Sequence, residues 1–287
     1  MKALLKNILQ KLGCYHFLQG NYRQVLFTFK KLASRYKYAK FKGEGFTCNC
    51  CGAVYSRFIP DHPVAENNTA IKANHVIAGY GENILCPACL STARERLIIA
   101  VLNNDIKLSG KKILHLSPEK NLYNFIKVNN EVITADIQPL WYKKIDSAIK
   151  AEDATQFSFN DHSFDVVIAN HIMEHIPNDR KALAEIYRVL KPGGRAILQV
   201  PYSTTIAYTI EDPGINDPQQ QSALFGQKDH VRIYQLNDYI HRLQAGGFTV
   251  AVTTYEELSA YYKNAIQHDE VFLSILKAAH DSKPAVA

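Results

Sequence analysis

The sequence predicts an α/β fold with a doubly wound sheet, and one stretch, residues 153–201, carries most of that expectation. Residues 164–169 (FDVVIA) form an apolar, β-branched run of the length of a strand buried on both faces. Asn170 to Pro177 is polar and cannot extend that strand. Asn178 or Asp179 can cap a helix whose positions Ala182, Leu183, Ile186, Val189 and Leu190 fall on one face. Lys191-Pro192-Gly193-Gly194 stops that helix, with Arg188 and Lys191 at its negative end, and residues 195–200 read as the next strand. Ligands of open α/β sheets sit at the carboxyl ends of strands, which places Asn170, His171, Glu174 and His175 where chemistry is expected.

The flanking elements fit the same plan. Residues 91–102 (STARERLIIAVL) read as a helix, with Arg94 and Arg96 facing solvent or an acidic substrate group. Residues 112–116 read as the first strand. Ser117-Pro118-Glu119 starts a helix, Ser as cap, Pro in the first position and Glu in the positive first turn. Residues 132–137 form the second strand and end in Asp136 and Ile137, and an acid there is suited to ribose hydroxyls. Residues 202–228 show little periodicity, and a loop of that length is usually functional. Asp229, His230 and Arg232 follow as a polar trio, either solvated or working with His230 as a general base. Residues 236–246 read as a helix, 248–254 as a strand, and 255–287 as a final amphipathic helix with a frayed tail.

FDVVIANHIMEHI, YRVLKPGG and ILQVP together resemble the class I S-adenosylmethionine-dependent methyltransferases, loosely from Lys111 to Thr254. The resemblance implies a Rossmann-like sheet of the seven-stranded methyltransferase type. It also implies a cofactor site: Glu119 at the methionine ammonium and the free N–H groups of the helix start at Ser117 at its carboxylate, Asp136 and Ile137 at the ribose, Asp153 and Ala154 at adenine, and Asn170 and His171 on the methionine side. The family's D-x-G-x-G loop is absent, and His115-Leu116-Ser117-Pro118-Glu119 stands in its place. That departure argues against a dinucleotide, whose pyrophosphate needs glycines, more than against a cofactor without phosphate. A subset of bacterial methyltransferases with an N-terminal cysteine knuckle looks similar here. His171, Glu174 and His175 also spell H-x-x-E-H, the inverted zinc-protease signature, but Pro177 ends any helix within two residues. The histidines therefore read as pocket lining, with His230 and His175 as candidate bases for an oxygen or carbon acceptor.

Cys48, Cys51, Cys86 and Cys89 form two C-x-x-C knuckles, the spacing of a four-thiolate structural zinc site. Cys50 leaves the exact pair open, and His62 and His75 are possible substitutes. Four thiolates leave no position for substrate, so catalytic zinc is not expected here. The net charge of +6 is uneven: residues 1–43 carry ten Lys/Arg and no acid, and the remainder holds 23 basic and 27 acidic residues. The expected organisation is a basic helical leader (1–43), a zinc-ribbon-like module (44–92), a methyltransferase domain (93–260) and a C-terminal helix and tail (261–287). The leader either packs on the body, lies on an anionic membrane surface or touches nucleic acid. Without an apolar run of membrane-spanning length or a signal peptide, a cytoplasmic address is expected, with peripheral contact at the inner membrane surface. The expected acceptor is a small molecule, sugar or lipid-linked compound. The alternatives are an RNA methyltransferase and a binding protein with a lapsed cofactor site.

Overall fold

The structure, a computed structural model, describes residues 15–106 and 108–279. The leader's apolar positions between Leu4 and Leu12 lie outside these residues. A helix, α1 (Tyr15–Lys37), leads into an antiparallel pair, β1 (Lys42–Thr47) and β2 (Val54–Tyr55). Next come β3 (Ile59–Asp61), α2 (Ala65–Ala73) and β4 (Gly81–Leu85), with β3 and β4 antiparallel. Then α3 (Ala93–Asn104) enters the main body, started by a capping box in which Thr92 and Glu95 satisfy each other's backbone N–H groups.

The main body runs through β5 (Lys112–Leu116), α4 (Lys120–Ile126), β6 (Glu131–Asp136), β7 (Lys150–Ala151), β8 (Phe164–Ile168), α5 (Asp179–Val189) and β9 (Leu190–Ile197). It continues with β10 (Tyr202–Ser203), β11 (Ile210–Glu211), α6 (Pro218–Phe225), β12 (Arg232–Gln235), α7 (Leu236–Ala245), β13 (Phe248–Thr253) and β14 (Phe272–Lys277). Seven strands make one sheet in the order β13-β14-β9-β8-β5-β6-β7, and β14 alone runs against the others. This is the Rossmann-like, seven-stranded methyltransferase arrangement. Its direction of winding reverses between β5 and β8, the switch point at which such sheets bind ligands.

Strand alternation divides the core into two layers. Leu114, Leu116, Val167 and Ala196 pack with Leu183 and Ile186 of α5 and Leu243 of α7. Ile113, Val166, Ile168 and Ile197 point the other way, against Leu97, Ile98 and Val101 of α3 and Leu122 of α4. On α5, Ala182, Leu183, Ile186 and Val189 are buried and the Asn178 side chain accepts from the Lys181 N–H, as the sequence pattern dictates.

Several local expectations are corrected. Ser117 is no helix cap: it takes a left-handed φ of 43°, and Glu119 is the N-cap of α4. The strand after α5 starts at Leu190, five residues early, because Lys191-Pro192-Gly193-Gly194 bulges within it. A Cβ on Gly194 would stand 2.8 Å from the Lys191 carbonyl oxygen, so the bulge requires glycine. The long loop after β9 contains α6 and two strands of a small sheet ordered β10-β12-β11. Among the described residues after 254 there is no α-helix: residues Glu257–Asn264 form a 3-10 helix, and β14 inserts between β13 and β9, while the expected tail at 280–287 lies outside the described residues. Arg96 does not face solvent. It is fully buried, lies over the Phe58 ring, and donates to five backbone carbonyls, those of Ser91, Asn83, Ile84, Asn264 and Ala265. One cation thereby ties the cysteine module to the segment before β14.

Candidate functional site

The carboxyl ends of β5, β6 and β8 bring most of the sequence-derived cofactor residues together. Ser117 Oγ donates to Asp136 Oδ2 at 2.5 Å, and the other Asp136 oxygen accepts from the Gln138 N–H. Without a glycine, Ser117 itself supplies the left-handed backbone that turns the chain out of β5, a conformation that costs about 1–3 kcal/mol. Glu119 accepts from Arg94 Nε and from Asn170 Nδ2, both at 3.0 Å. Burial pushes the Glu119 carboxyl above the usual range, and Arg94 opposes that rise. Asn170 keeps its Oδ1 buried with no hydrogen-bond partner. The first N–H groups of α4 are partly engaged already, since Asn121 N–H donates to Glu95 Oε1. Ile137 stands exposed beside Asp136. Asp153 lies on the surface, where its Oδ1 accepts from the N–H and hydroxyl of Thr155; these bonds hold its pKa low. Ala154 is half-buried against the main core.

Beyond β8 the chain opens a cavity of about 260 Å³ lined by Arg94, His171, Glu174, His175 and His230. His171 has a left-handed φ of 53° and its N–H bonds the Gln199 carbonyl, which turns the chain into a 3-10 helix, Met173–His175. The H-x-x-E-H segment is therefore not the α-helix of a zinc protease. Glu174 is 1% exposed, and neither carboxylate oxygen has a hydrogen-bond partner. His171 Nδ1 lies 3.6 Å and His230 Nε2 4.0 Å from Glu174 Oε1. The His175 and His230 rings meet edge to face at 4.6 Å. Burial raises the Glu174 pKa and drives that of His171 well below its ordinary value. Burial, with His175 nearby, lowers His230 to about 3, so this imidazole is neutral near pH 7 and a weak proton acceptor.

Arg232 belongs to the scaffold. It donates to the Met173, Ile176 and Pro177 carbonyls and to Glu211, clamping the 3-10 helix onto β12. Arg242 completes a charged network with Asp179, Glu211 and Asp238. The two arginines hold Glu211 down at about 2.

Sequence reasoning missed the opposite wall. Asp61, Ile71, Val76, Ala78, Gly79 and Tyr80, from the insertion between the cysteine knuckles, line the same cavity. Helix α2 packs on α6, and Ile77 pairs with Tyr202. Gly226, at a φ of 80°, closes α6 so near Ile71 that a Cβ would fall 2.7 Å from its Cγ1. Arg94, expected mainly at the surface, lines the cavity and pairs with Glu119. Glu270 was also missed: it is buried with one oxygen unpartnered, and burial lifts its pKa to about 7.

The cysteines converge on a separate point. Sγ of Cys48 lies 3.6 Å from Sγ of Cys89, and Sγ of Cys51 lies 3.8 Å from Sγ of Cys86. All four sulfurs lie within 4.8 Å of one another. Cys50 stands outside the group, its thiol against Asn49 Oδ1, and neither His62 nor His75 belongs to it.

Residues 116–198 match the family described as Methyltransferase domain. The chain is similar to phosphoethanolamine N-methyltransferase 2 of Caenorhabditis elegans, 33% identical over 75 residues, or 25% of this chain and 17% of that protein. It is also similar to a sterol 24-C-methyltransferase of Pneumocystis carinii, 26% identical over 167 residues, 58% of this chain and 36% of that one. The chain thus spans well under half the length of these curated relatives. Among solved structures it is similar to an S-adenosylmethionine-dependent methyltransferase from Mesorhizobium loti, with 12% identity, a TM-score of 0.45, and coverage of 63% of this chain and 95% of that one. From the end of β5 to the end of β9, this chain carries a segment similar to methyltransferase domains.

Proposed function

We propose that this protein is an S-adenosylmethionine-dependent methyltransferase acting on a small-molecule, sugar or lipid-linked acceptor. The observation that carries the reading is the polar cradle at the sheet's switch point: Asp136 held by Ser117, beside Glu119 and the buried, unpartnered Oδ1 of Asn170. The cradle suits the cofactor's groups one by one. An ammonium finds Asn170 Oδ1 and Glu119, ribose hydroxyls find Asp136, and the exposed Ile137 offers an apolar face to adenine. Asp153 keeps one oxygen outside its Thr155 turn for the adenine amino group. When bound, the cofactor supplies an electrophilic methyl group. That methyl would pass to the acceptor's lone pair with the carbon–sulfur electron pair left on sulfur, and the acceptor's proton would go to a nearby base or water. His175 and His230 line the cavity beyond β8, which this reading assigns to the acceptor. Much of the rate would then come from positioning the two reactants. Calorimetry with S-adenosylmethionine tests the reading: a saturable one-to-one heat is expected, and its absence at high micromolar ligand rejects it.

The four thiolates suit a structural zinc ion. Tetrahedral Zn–S bonds of about 2.3 Å place neighbouring sulfurs about 3.8 Å apart; two of the six pairs lie at 3.6 and 3.8 Å, and all lie within 4.8 Å.

The leader supports peripheral contact with an anionic membrane. Helix α1 carries five basic residues and no acid, and it exposes Tyr22, Val25, Leu26, Phe29, Leu32 and Tyr36. Lys120 lies over Phe27, and Arg35 donates to the Ala88 carbonyl, so the helix is also held to the body. No helix among the described residues is long and apolar enough to cross a membrane. Co-sedimentation with anionic but not neutral vesicles is expected, and equal binding to both removes the electrostatic part of the reading.

A further inference from the structure

We infer that Glu174, His175 and His230 form a second metal site, distinct from the thiolates, which takes a divalent first-row transition ion with coordination positions open to the cavity. Each residue offers one ligand atom, and these atoms all lie within 4.8 Å of one another. The strongest indication is Glu174. A carboxylate buried to 1% exposure with both oxygens unpartnered is costly, and a cation is the partner that would offset that cost.

The histidines are set up to ligate. His175 Nδ1 lies 3.1 Å from the Asp229 carbonyl oxygen. Nδ1 therefore carries the proton and Nε2 keeps its lone pair, the arrangement in which metal-bound imidazoles are usually held. His230 presents Nε2 to Glu174, and its ring meets that of His175 edge to face. The two segments are stapled together before any ion arrives. Val231 N–H donates to the Glu174 carbonyl, and Arg232 donates to the carbonyls of Met173 and Pro177. Bonds of about 2.1 Å in a tetrahedron set ligand atoms about 3.4 Å apart. The 4.0 Å between His230 Nε2 and Glu174 Oε1 closes to that value by small side-chain rotations. His171 Nδ1 lies 3.6 Å from the same oxygen, beyond hydrogen-bond distance.

The donor set names the ion's class. Two imidazoles and one carboxylate suit zinc, iron, manganese or cobalt, whereas calcium and magnesium prefer oxygen ligands. Three protein ligands leave open positions, which point to an acceptor that presents an oxygen to the ion. The metal site stands on the cluster itself, and only its role toward an acceptor rests on the methyltransferase reading.

Cobalt(II) titration of the full chain after chelator treatment tests the site. The thiolate site reports itself by an intense near-ultraviolet charge-transfer band, which an imidazole–carboxylate site lacks. The wild-type chain is expected to bind two equivalents, the second adding only weak visible absorption. Glu174→Gln, His175→Gln and His230→Gln should each lose the second equivalent, with at least a hundredfold weaker binding, while keeping the thiolate band as proof of folding. A single equivalent in the wild type, or a second equivalent undiminished in all three variants, overturns the site. Calorimetry with S-adenosylmethionine on the same samples separates the two readings. A chain that binds the methyl donor but only one cobalt loses the second metal site alone. A chain that binds two cobalt ions and no donor loses the methyltransferase reading alone.

Discussion

The molecule gathers ligand-like side chains at two points, and they are built in opposite ways. The cysteines come from two short knuckles, each a local turn that presents its own sulfurs, and two of the sulfur pairs already stand at tetrahedral spacing. The carboxylate and imidazoles of the cavity come from the loop after β8 and the strand start at β12, joined only by tertiary contacts. Local geometry presents each half of the first cluster, and the two halves meet across the insertion. The second depends on Arg232, on the insertion that walls the cavity, and on the sheet beneath. The difference teaches that the cysteine module should fail as a unit when one ligand goes, whereas the cavity can lose a ligand and keep its shape.

The largest expected effect breaks the first cluster. Cys86→Ser should take thiolate-bound metal from one per chain to none and cost well over 5 kcal/mol, because metal binding of this kind is folding free energy. Metal analysis and urea denaturation check it, and an unchanged midpoint would show that the module folds without metal. Next is the bolt between module and body. Arg96→Met leaves the carbonyls of Ser91, Asn83, Ile84, Asn264 and Ala265 short of a donor and should cost roughly 3 kcal/mol or more. A urea midpoint shifted by under half of that would show that water replaces the guanidinium.

Smaller effects sharpen the contrast on the cavity side. Asp136→Ala should weaken S-adenosylmethionine binding about tenfold to a hundredfold, or about 1.4–2.8 kcal/mol, with little loss of fold stability. Glu119→Ala should weaken it too, with a stability loss as well, since Arg94 and Asn170 lose their shared acceptor. The remaining effect is one of pH. His115 is buried in β5 with neither ring nitrogen partnered, and burial lowers its pKa from 6.5 to about 3. The unfolded chain takes up that proton below pH 6.5 and the folded chain does not until about pH 3. Stability is therefore lost as pH falls through this window, at about 1.4 kcal/mol per unit. Glu270, raised to about 7 from 4.5, has the opposite sign, losing stability as pH rises between those values. His115→Leu should remove only the first slope, and parallel wild-type and variant profiles between pH 6.5 and 4.5 would contradict the assignment.

The sequence made the sheet centre and the thiolates legible because both are short-range patterns: apolar runs with a capped helix between them, and paired knuckles. The remainder rests on contacts that no local pattern records. Residues 272–277 are an apolar run that suits a helix or a buried strand equally, and only pairing with β13 and β9 decides it. Arg96 reads as a surface residue of an amphipathic helix until five carbonyls from three segments converge on it. With Pro60, Pro63 and Gly79, the insertion between the knuckles reads as a loop or hairpin, and its role as cavity wall depends on α2 meeting α6. Ser117 illustrates the same limit: no propensity announces a left-handed serine, yet that turn stands where glycines were expected.

The most direct test of the cofactor site is a crystal structure of the full chain with S-adenosylhomocysteine. Ligand density is expected along the carboxyl ends of β5, β6 and β8, with ribose hydroxyls on Asp136 and the ammonium beside Asn170 and Glu119. Density at another edge of the sheet, or a cradle that stays empty at saturating ligand, would contradict it.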